Sequence, residues 1–147
     1  MLLATGLQES LFEHRRQLVG NPPRPTGPAK SFWQGEEGGG MVDGVRRHSS
    51  TRGMAQTLYT ARGVPPNNRA IWNAIENDDV LAAGLARLLY YSDPFQLPRL
   101  GDSEKAFELY VRVWRPGAYT RGSDQDKCIL RNKWESNYKK ALAYVQA

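Results

Sequence analysis

The chain has 147 residues, of which 40% are hydrophobic and 24% are charged, and its formal net charge is +5. This length and composition predict one domain spanning residues 1–147, with a single core and no apolar run long enough to span a bilayer. The single cysteine, Cys128, excludes an internal disulfide framework, and His14 and His48 are too few for a three-histidine metal centre. We therefore expect no metal ion and no other cofactor.

The first predicted helix runs from residue 2 to residue 18, with Leu3, Leu7 and Leu11 on one face. The segment Gly20-Asn21-Pro22-Pro23 ends it, because consecutive prolines remove backbone donors and disfavour the helical region for the preceding residue. Residues 20–30 are rich in proline and glycine and are predicted to form an exposed loop. The chain start lacks a basic segment and its apolar run is soon broken, so we expect no signal peptide.

Helical periodicity and capping residues recur along the rest of the chain, whereas no alternation of period two persists. The sequence therefore predicts an all-α protein of about six helices, and a small hairpin within residues 32–45 is left open. Residues 118–132 are polar and are predicted to form a surface excursion. The remaining predicted helices cover residues 42–47, 52–62, 69–76, 80–91 after a cap at Asn77 or Asp78, 103–114 after a cap at Asp102 or Ser103, and 133–145.

Glu9 is the acid that the pattern singles out. In a helix over residues 2–17 its neighbours are Leu2, Thr5 and Phe12, so the carboxyl would lie on a largely apolar strip. Desolvation in such a place raises the pKa of a carboxyl, and a protonated acid can give its proton to a leaving oxygen, as glycosidic cleavage requires. The alternative is an exposed helix acid near the basic run His14-Arg15-Arg16.

The segments Gln8-Glu9-Ser10 and Ser31-Phe32-Trp33-Gln34 carry a family resemblance. Together they resemble the lytic transglycosylase and goose-type lysozyme branch of the lysozyme-like superfamily, in which a helix-borne Glu-Ser is followed by Gly-Leu-Met-Gln. The glycine-rich run Gly35–Gly40 and the late Trp114-Arg115-Pro116-Gly117 are similar to those of small phage- and prophage-encoded, virion-associated proteins of that superfamily. The resemblance covers roughly residues 1 to 145 and implies a lysozyme-like single domain.

The resemblance implies a peptidoglycan-cleaving glycosidase, either a lytic transglycosylase or a muramidase, that acts on the β-1,4 bond between N-acetylmuramic acid and N-acetylglucosamine. It makes Glu9 the catalytic acid. A hydrolase would also need a second carboxylate, for which the candidates are Glu36 and Glu37, with solvated loop acids as the alternative. The implied substrate-binding residues are Ser10, Ser31, Phe32, Trp33, Gln34, Tyr110 and Trp114.

Two departures from the family pattern bear on activity. Ser31 stands where the family has glycine, and Trp114-Arg115-Pro116-Gly117 stands where transglycosylases often have Tyr-Asn-Ala-Gly, whose tyrosine hydrogen-bonds the acid. An indole donates only through its N–H. Tyr110 and Trp114, four residues apart, lie either in the core or as a roof over Glu9. The competing interpretation is a catalytically inactive, lysozyme-like structural or wall-docking protein of a phage tail or virion.

The expected partners are bacterial peptidoglycan and other virion or tail proteins, and the expected location is the phage virion or the host cytoplasm or periplasm. The basic clusters His14-Arg15-Arg16 and Arg46-Arg47-His48 would also attract nucleic acid. However, the chain has no zinc-finger spacing, no nucleotide-binding glycine loop and no basic zipper. Nucleic-acid binding is therefore not favoured.

Overall fold

A computed structural model describes every residue, Met1–Ala147, and shows an all-α protein with no strands, as the sequence predicts. Only isolated bridges pair extended residues, at Arg16 with Lys30, Val19 with Arg24, and Lys30 with Gly35, so the hairpin left open for residues 32–45 does not form. The helices are α1 Leu2–Ser10, a π-helical segment Gly40–Gly44, α2 Val45–Arg47, α3 Arg52–Arg62, α4 Asn68–Ala74, α5 Asp79–Tyr91, α6 Ser103–Trp114, α7 Gly117–Thr120 and α8 Asp124–Gln146.

The chain divides into two compact units. The terminal unit consists of Met1–Gln8 and Phe95–Ala147, and the central unit consists of Glu9–Pro94. The single domain over residues 1–147 stays a prediction. None of the helices has the length and apolar character that crossing a bilayer requires.

Helix α5 is the core helix of the central unit, where it packs against α3 and the π-helical segment. It begins after Asp78, whose carboxylate accepts a hydrogen bond from the Leu81 backbone N–H at 3.0 Å, so Asp78 is the cap among the two predicted. Leu81 and Leu85 are fully buried, as the predicted apolar stripe requires. Small residues on the same helix, Ala82 and Ala86, are also fully buried, which permits close helix approach.

Helix α8 corrects the prediction of a surface excursion over residues 118–132. It begins nine residues before Lys133, and the short α7 precedes it. The reason is a capping box: the Ser123 side chain accepts from the Asp126 N–H, and the Asp126 carboxylate accepts from the Ser123 N–H. The polar residues that follow form the exposed side of one long helix, whose buried Trp134 and Tyr138 join Phe107 in the core of the terminal unit.

Helix α1 is shorter than predicted, because it ends at Ser10 and not near residue 18. In the terminal unit, its buried Gln8 is fixed to α8: Lys133 Nζ donates to the Gln8 carbonyl oxygen at 2.7 Å and Asn137 Nδ2 donates to Gln8 Oε1 at 2.9 Å. These two bonds hold the turn of α1 that immediately precedes Glu9.

Candidate active site

Ser10 organises the C-terminal end of α1, directly after Glu9. Its Oγ donates a hydrogen bond to the Phe32 carbonyl oxygen at 2.8 Å and accepts one from the Phe12 N–H at 3.2 Å. Leu11 and Phe12 adopt left-handed backbone conformations, with φ of 55° and 58°. Because two consecutive left-handed residues cannot continue a right-handed helix, the chain turns here and Phe12 is not the helical neighbour of Glu9 that the longer helix predicted.

The segment Ser31–Gln34 forms a tight turn that Lys30 and Gly35 close. The Lys30 N–H donates to the Gly35 carbonyl at 2.9 Å, and the Gly35 N–H donates to the Lys30 carbonyl at 2.7 Å. Ser31 and Gln34 have φ of 69° and 54°, which is unusual for residues with a side chain. The Ser31 Oγ accepts from the Trp33 N–H at 3.2 Å, and Gln34 Nε2 donates to the Ser31 carbonyl at 2.8 Å.

Gly35 has a packing role. A Cβ at this position would lie 3.0 Å from Ile75 Cδ1 and 3.2 Å from Met41 Cε, so the ends of these two core side chains would have to shift by a few tenths of an ångström to accept one. Its backbone N–H and C=O are both bonded to Lys30. Both backbone groups of Gly35 are therefore engaged in closing the turn.

Aromatic rings join the two strained segments. The Phe12 ring meets Phe32 edge-on at a centroid distance of 5.3 Å and Trp33 at 5.8 Å. Trp33 is 6% exposed, whereas Phe32 is partly exposed and carries the Arg15 guanidinium over its ring at 4.5 Å. The burial of Trp33 leaves little of its ring to stack on a sugar and fits a residue that frames the cleft. Glu9, Ser10 and Gln34 are partly exposed and reachable by a ligand.

A buried lysine anchors the turn to α4. The Lys30 side chain is 6% exposed, and its Nζ lies 2.9 Å from a Glu76 carboxylate oxygen and 3.1 Å from Asn73 Oδ1. The same Nζ lies 3.7 Å from the centre of the Trp72 ring. A buried charge with an ion-pair partner, a hydrogen bond and a cation–π contact is fixed in position. Lys30 therefore fixes the position of the Ser31–Gln34 turn, which follows it directly in the chain.

A second ion pair fixes the chain between the two segments. Arg15 forms a bidentate pair with Asp79 at the start of α5, with Nη2 at 2.8 Å from Oδ2 and Nη1 against Oδ1. The Ser31 N–H donates to the Arg15 carbonyl at 2.7 Å. Sequence reasoning missed Arg15, Lys30, Glu76 and Asp79. The one signal in the sequence was the acidic run from residue 76 to residue 79. It has no basic residue among its immediate neighbours, which indicates partners that are distant in the sequence.

The candidate second carboxylates differ in their surroundings. Glu36 is exposed, and Glu37 pairs with Arg69 at 3.1 Å. Asp43, on the π-helical segment, accepts from Asn68 Nδ2 at 2.8 Å and pairs with Arg47 at 2.8 Å. The hydrogen bond from Asn68, followed by the charge of Arg47, lowers the pKa of Asp43. A role for Glu36 or Glu37 as a base stays a prediction.

Tyr110 and Trp114 belong to the terminal unit. Tyr110 is 1% exposed and stacks on Trp134 at a centroid distance of 4.7 Å, which is a core position. Trp114 is partly buried against the same core cluster. The structure shows no group of three or more His, Cys, Asp or Glu side chains that could hold a metal ion.

Comparisons with protein-family models, with curated proteins and with solved structures gave no match. The resemblance of the Glu9-Ser10 and Ser31–Gln34 segments to lytic transglycosylases and goose-type lysozymes stays a prediction.

Proposed function

We propose that this protein cleaves the β-1,4 bond between N-acetylmuramic acid and N-acetylglucosamine in peptidoglycan, with Glu9 as the general acid. One observation carries the proposal. The end of α1 and the Ser31–Gln34 turn are joined by the Ser10–Phe32 hydrogen bond, and four non-glycine residues of these segments hold left-handed conformations: Leu11, Phe12, Ser31 and Gln34. Strained backbone of this kind collects at functional sites, where surrounding structure maintains it.

Glu9 lies in the last turn of α1, one residue before the helix ends at Ser10. The side chain is also partly exposed, as proton transfer to a bound substrate requires.

In the proposed reaction, Glu9 gives its proton to the glycosidic oxygen as the bond from that oxygen to muramyl C1 breaks. In a transglycosylase, the resulting carboxylate then takes the proton of the muramyl C6 hydroxyl, and the C6 oxygen attacks C1 to close a 1,6-anhydro ring. The substrate's own acetamido group would assist departure of the leaving group. Ser10 already bonds the Phe32 carbonyl, whereas Gln34 Oε1 is not engaged by the Gln34 Nε2 bond and suits substrate contact.

The surroundings of the other acids bear on the choice between a transglycosylase and a hydrolase. Hydrolysis needs a carboxylate that activates water. Asp43 is engaged by Arg47 and Asn68, whereas Glu37 pairs with Arg69 only through an exposed contact. Glu36 has no ion pair and is the first candidate for a base.

The experiment compares the release of soluble fragments from purified peptidoglycan by the wild type, Glu9→Gln and Glu13→Gln. Glu13 is an exposed acid four residues further on and is the matched control. Loss of a general acid lowers the rate by about 10²–10⁴-fold, so Glu9→Gln should release almost nothing and Glu13→Gln should match the wild type. A folded wild type that releases no fragments would contradict the enzyme proposal and favour the inactive structural or wall-docking protein.

A further inference from the structure

An open groove of about 770 Å³ lies in the terminal unit, between the segment before α6 and one side of α6 itself. The segment carries apolar side chains at its surface: Leu97, which lines the groove, is 44% exposed, and Leu100 is 67% exposed. Phe95 borders the same groove and holds the Arg112 guanidinium over its ring at 5.0 Å. Exposed apolar residues that are scattered singly are ordinary, whereas a group of them beside a groove indicates a surface that another molecule covers.

The wall of the groove before α6 is held firmly. The Gly101 N–H donates to the Tyr138 hydroxyl at 3.2 Å, and Trp134 Nε1 donates to the Ser103 carbonyl at 3.3 Å. The Ser103 hydroxyl donates to Glu135 at 2.8 Å. Three bonds to α8 fix this segment, so a partner that binds here does not have to order it first.

Two opposite charges lie on the side of α6 that lines the groove. Lys105 and Glu108 are three residues apart, so they share this side of the helix, and both are exposed. The Glu108 carboxylate forms no ion pair and no side-chain hydrogen bond within the protein. Lys105 pairs with Asp102 at 3.7 Å, an exposed contact that contributes little and that another carboxylate can replace. This side of α6 therefore offers one cation and one carboxylate to an outside partner.

The two charges complement a second copy of themselves. A dimer with a two-fold axis brings the same surface of both copies together, so that every contact occurs twice. When two α6 helices lie antiparallel, with the axis level with residues 106 and 107, Lys105 of each copy is level with Glu108 of the partner subunit. The two residues lie about 4.5 Å apart along the helix, at about 1.5 Å per residue, so one crossing forms both pairs. A parallel arrangement would instead set like charges side by side.

We propose that this protein forms a two-fold symmetric dimer through this face of the terminal unit. Helix α6 lies antiparallel to α6 of the partner subunit, and Lys105 and Glu108 form reciprocal ion pairs. Leu97 lines the groove together with these two residues, so the helix that carries the pairs also covers apolar surface. The dimer does not rest on the proposed function.

The net charge of the unit opposes the dimer at long range. The terminal unit holds ten Lys and Arg residues and six acidic residues, a balance of +4, so two copies repel each other. Salt at about 0.15 M screens exposed charges beyond about 8 Å, whereas the reciprocal pairs are in direct contact. The dimer is therefore expected at physiological ionic strength, and its ion pairs decide the orientation of the two copies.

The test is sedimentation velocity of the full chain in about 0.15 M salt, at protein concentrations from about 1 µM to about 1 mM, which cover weak as well as stable dimers. We expect the wild type to change from monomer to dimer within this range. Lys105→Glu and Glu108→Lys should each dimerise about ten-fold more weakly or worse, because two ion pairs become two like-charge contacts. Lys139→Glu and Glu13→Lys are matched controls: both make the same changes in charge at exposed positions outside the groove, and they should dimerise as the wild type does.

Exchanging the two charges tests the antiparallel pairing. The double variant Lys105→Glu/Glu108→Lys should dimerise as the wild type does, and an equimolar mixture of the two single variants should form a heterodimer, because both arrangements restore the two pairs. Such a heterodimer would also show that the single variants are folded. A wild type that stays monomeric throughout, or single variants that dimerise as tightly as the wild type, would overturn the proposed dimer. A double variant and a mixture that dimerise as weakly as the single variants would overturn the pairing of Lys105 with Glu108.

Discussion

Replacing Lys30 by methionine tests whether a buried ion pair holds the Ser31–Gln34 turn. Methionine keeps most of the apolar stem but removes the ammonium group, which strands the Glu76 carboxylate and ends the 3.7 Å contact with Trp72. Removing one partner of a buried pair costs about 3–5 kcal/mol. Because 26% of the Glu76 side chain is exposed and water can reach it, we expect the lower end, about 3 kcal/mol.

The measurement is the free energy of unfolding from urea denaturation, with the midpoint of thermal unfolding as a second readout. For a chain of this size, about 3 kcal/mol corresponds to a fall of roughly 6–12 °C. The double variant Lys30→Met/Glu76→Met removes the stranded carboxylate and should recover most of the loss. Arg69→Met is the control: it breaks the exposed pair with Glu37, and its cost should stay below about 1 kcal/mol.

Two results would refute this reasoning. Lys30→Met with a stability within about 1 kcal/mol of the wild type would mean that the pair with Glu76 does not fix the turn. A double variant as unstable as Lys30→Met would mean that the loss came from packing and not from the stranded charge.

Three further predictions concern strain, burial and charge. Leu11→Gly should stabilise the protein by about 1 kcal/mol, because it relieves a left-handed φ of 55°. Leu3→Gly, at a similarly exposed position inside α1, should destabilise it by about 1 kcal/mol. Equal changes in the free energy of unfolding, measured by urea denaturation, would contradict the assigned strain. The buried hydroxyl of Tyr59 lacks a hydrogen-bond partner, so Tyr59→Phe should raise stability by about 1 kcal/mol, whereas Tyr138→Phe, which loses a bond, should lower it. Burial raises the pKa of Tyr59 from 10.0 to about 12, so ionisation of this group leaves the stability of the wild type unchanged below pH 10 and lowers it as pH rises toward 12. Tyr59→Phe should lack this alkaline loss in thermal melts at stepped pH. Hydrogen bonding lowers the pKa of Asp43 below 3.8, so the Asp43 carboxylate stabilises the protein above pH 3.8 and this stabilisation disappears at lower pH. The difference in stability between the wild type and Asp43→Asn should therefore vanish in acid. A difference that stays constant with pH would contradict this prediction.

The helices that the sequence predicted well are those with local signals. The helix predicted at residues 52–62 is observed with those bounds, and α6 begins after Asp102, one of the two predicted caps. In both helices, periodicity and capping act within a few residues, so neighbours in the sequence carry the information. The capping box of Ser123 and Asp126 was equally local, and the error at residues 118–132 came from taking polarity as a sign of irregular structure.

The end of α1 could not be predicted from nearby residues. The sequence contains no proline or glycine between Ser10 and Gly20, and the hydrogen bond made at the end of the helix, from Ser10 to the Phe32 carbonyl, spans 22 residues. The anchors of the turn are also distant in sequence, since Lys30 meets Glu76 and Arg15 meets Asp79. Motif spacing identified which segments belong to the candidate site, but it contained no information about the ion pairs that hold them.

The most direct measurement is mass spectrometry of the fragments that the wild type and Glu9→Gln release from purified peptidoglycan. The account predicts anhydromuropeptides from the wild type and none from Glu9→Gln. Fragments with reducing ends would keep Glu9 as the acid but make the enzyme a hydrolase, with Glu36 as the base to test next. Equal fragments from Glu9→Gln, or none from a folded wild type, would contradict the claim that Glu9 cleaves the glycan.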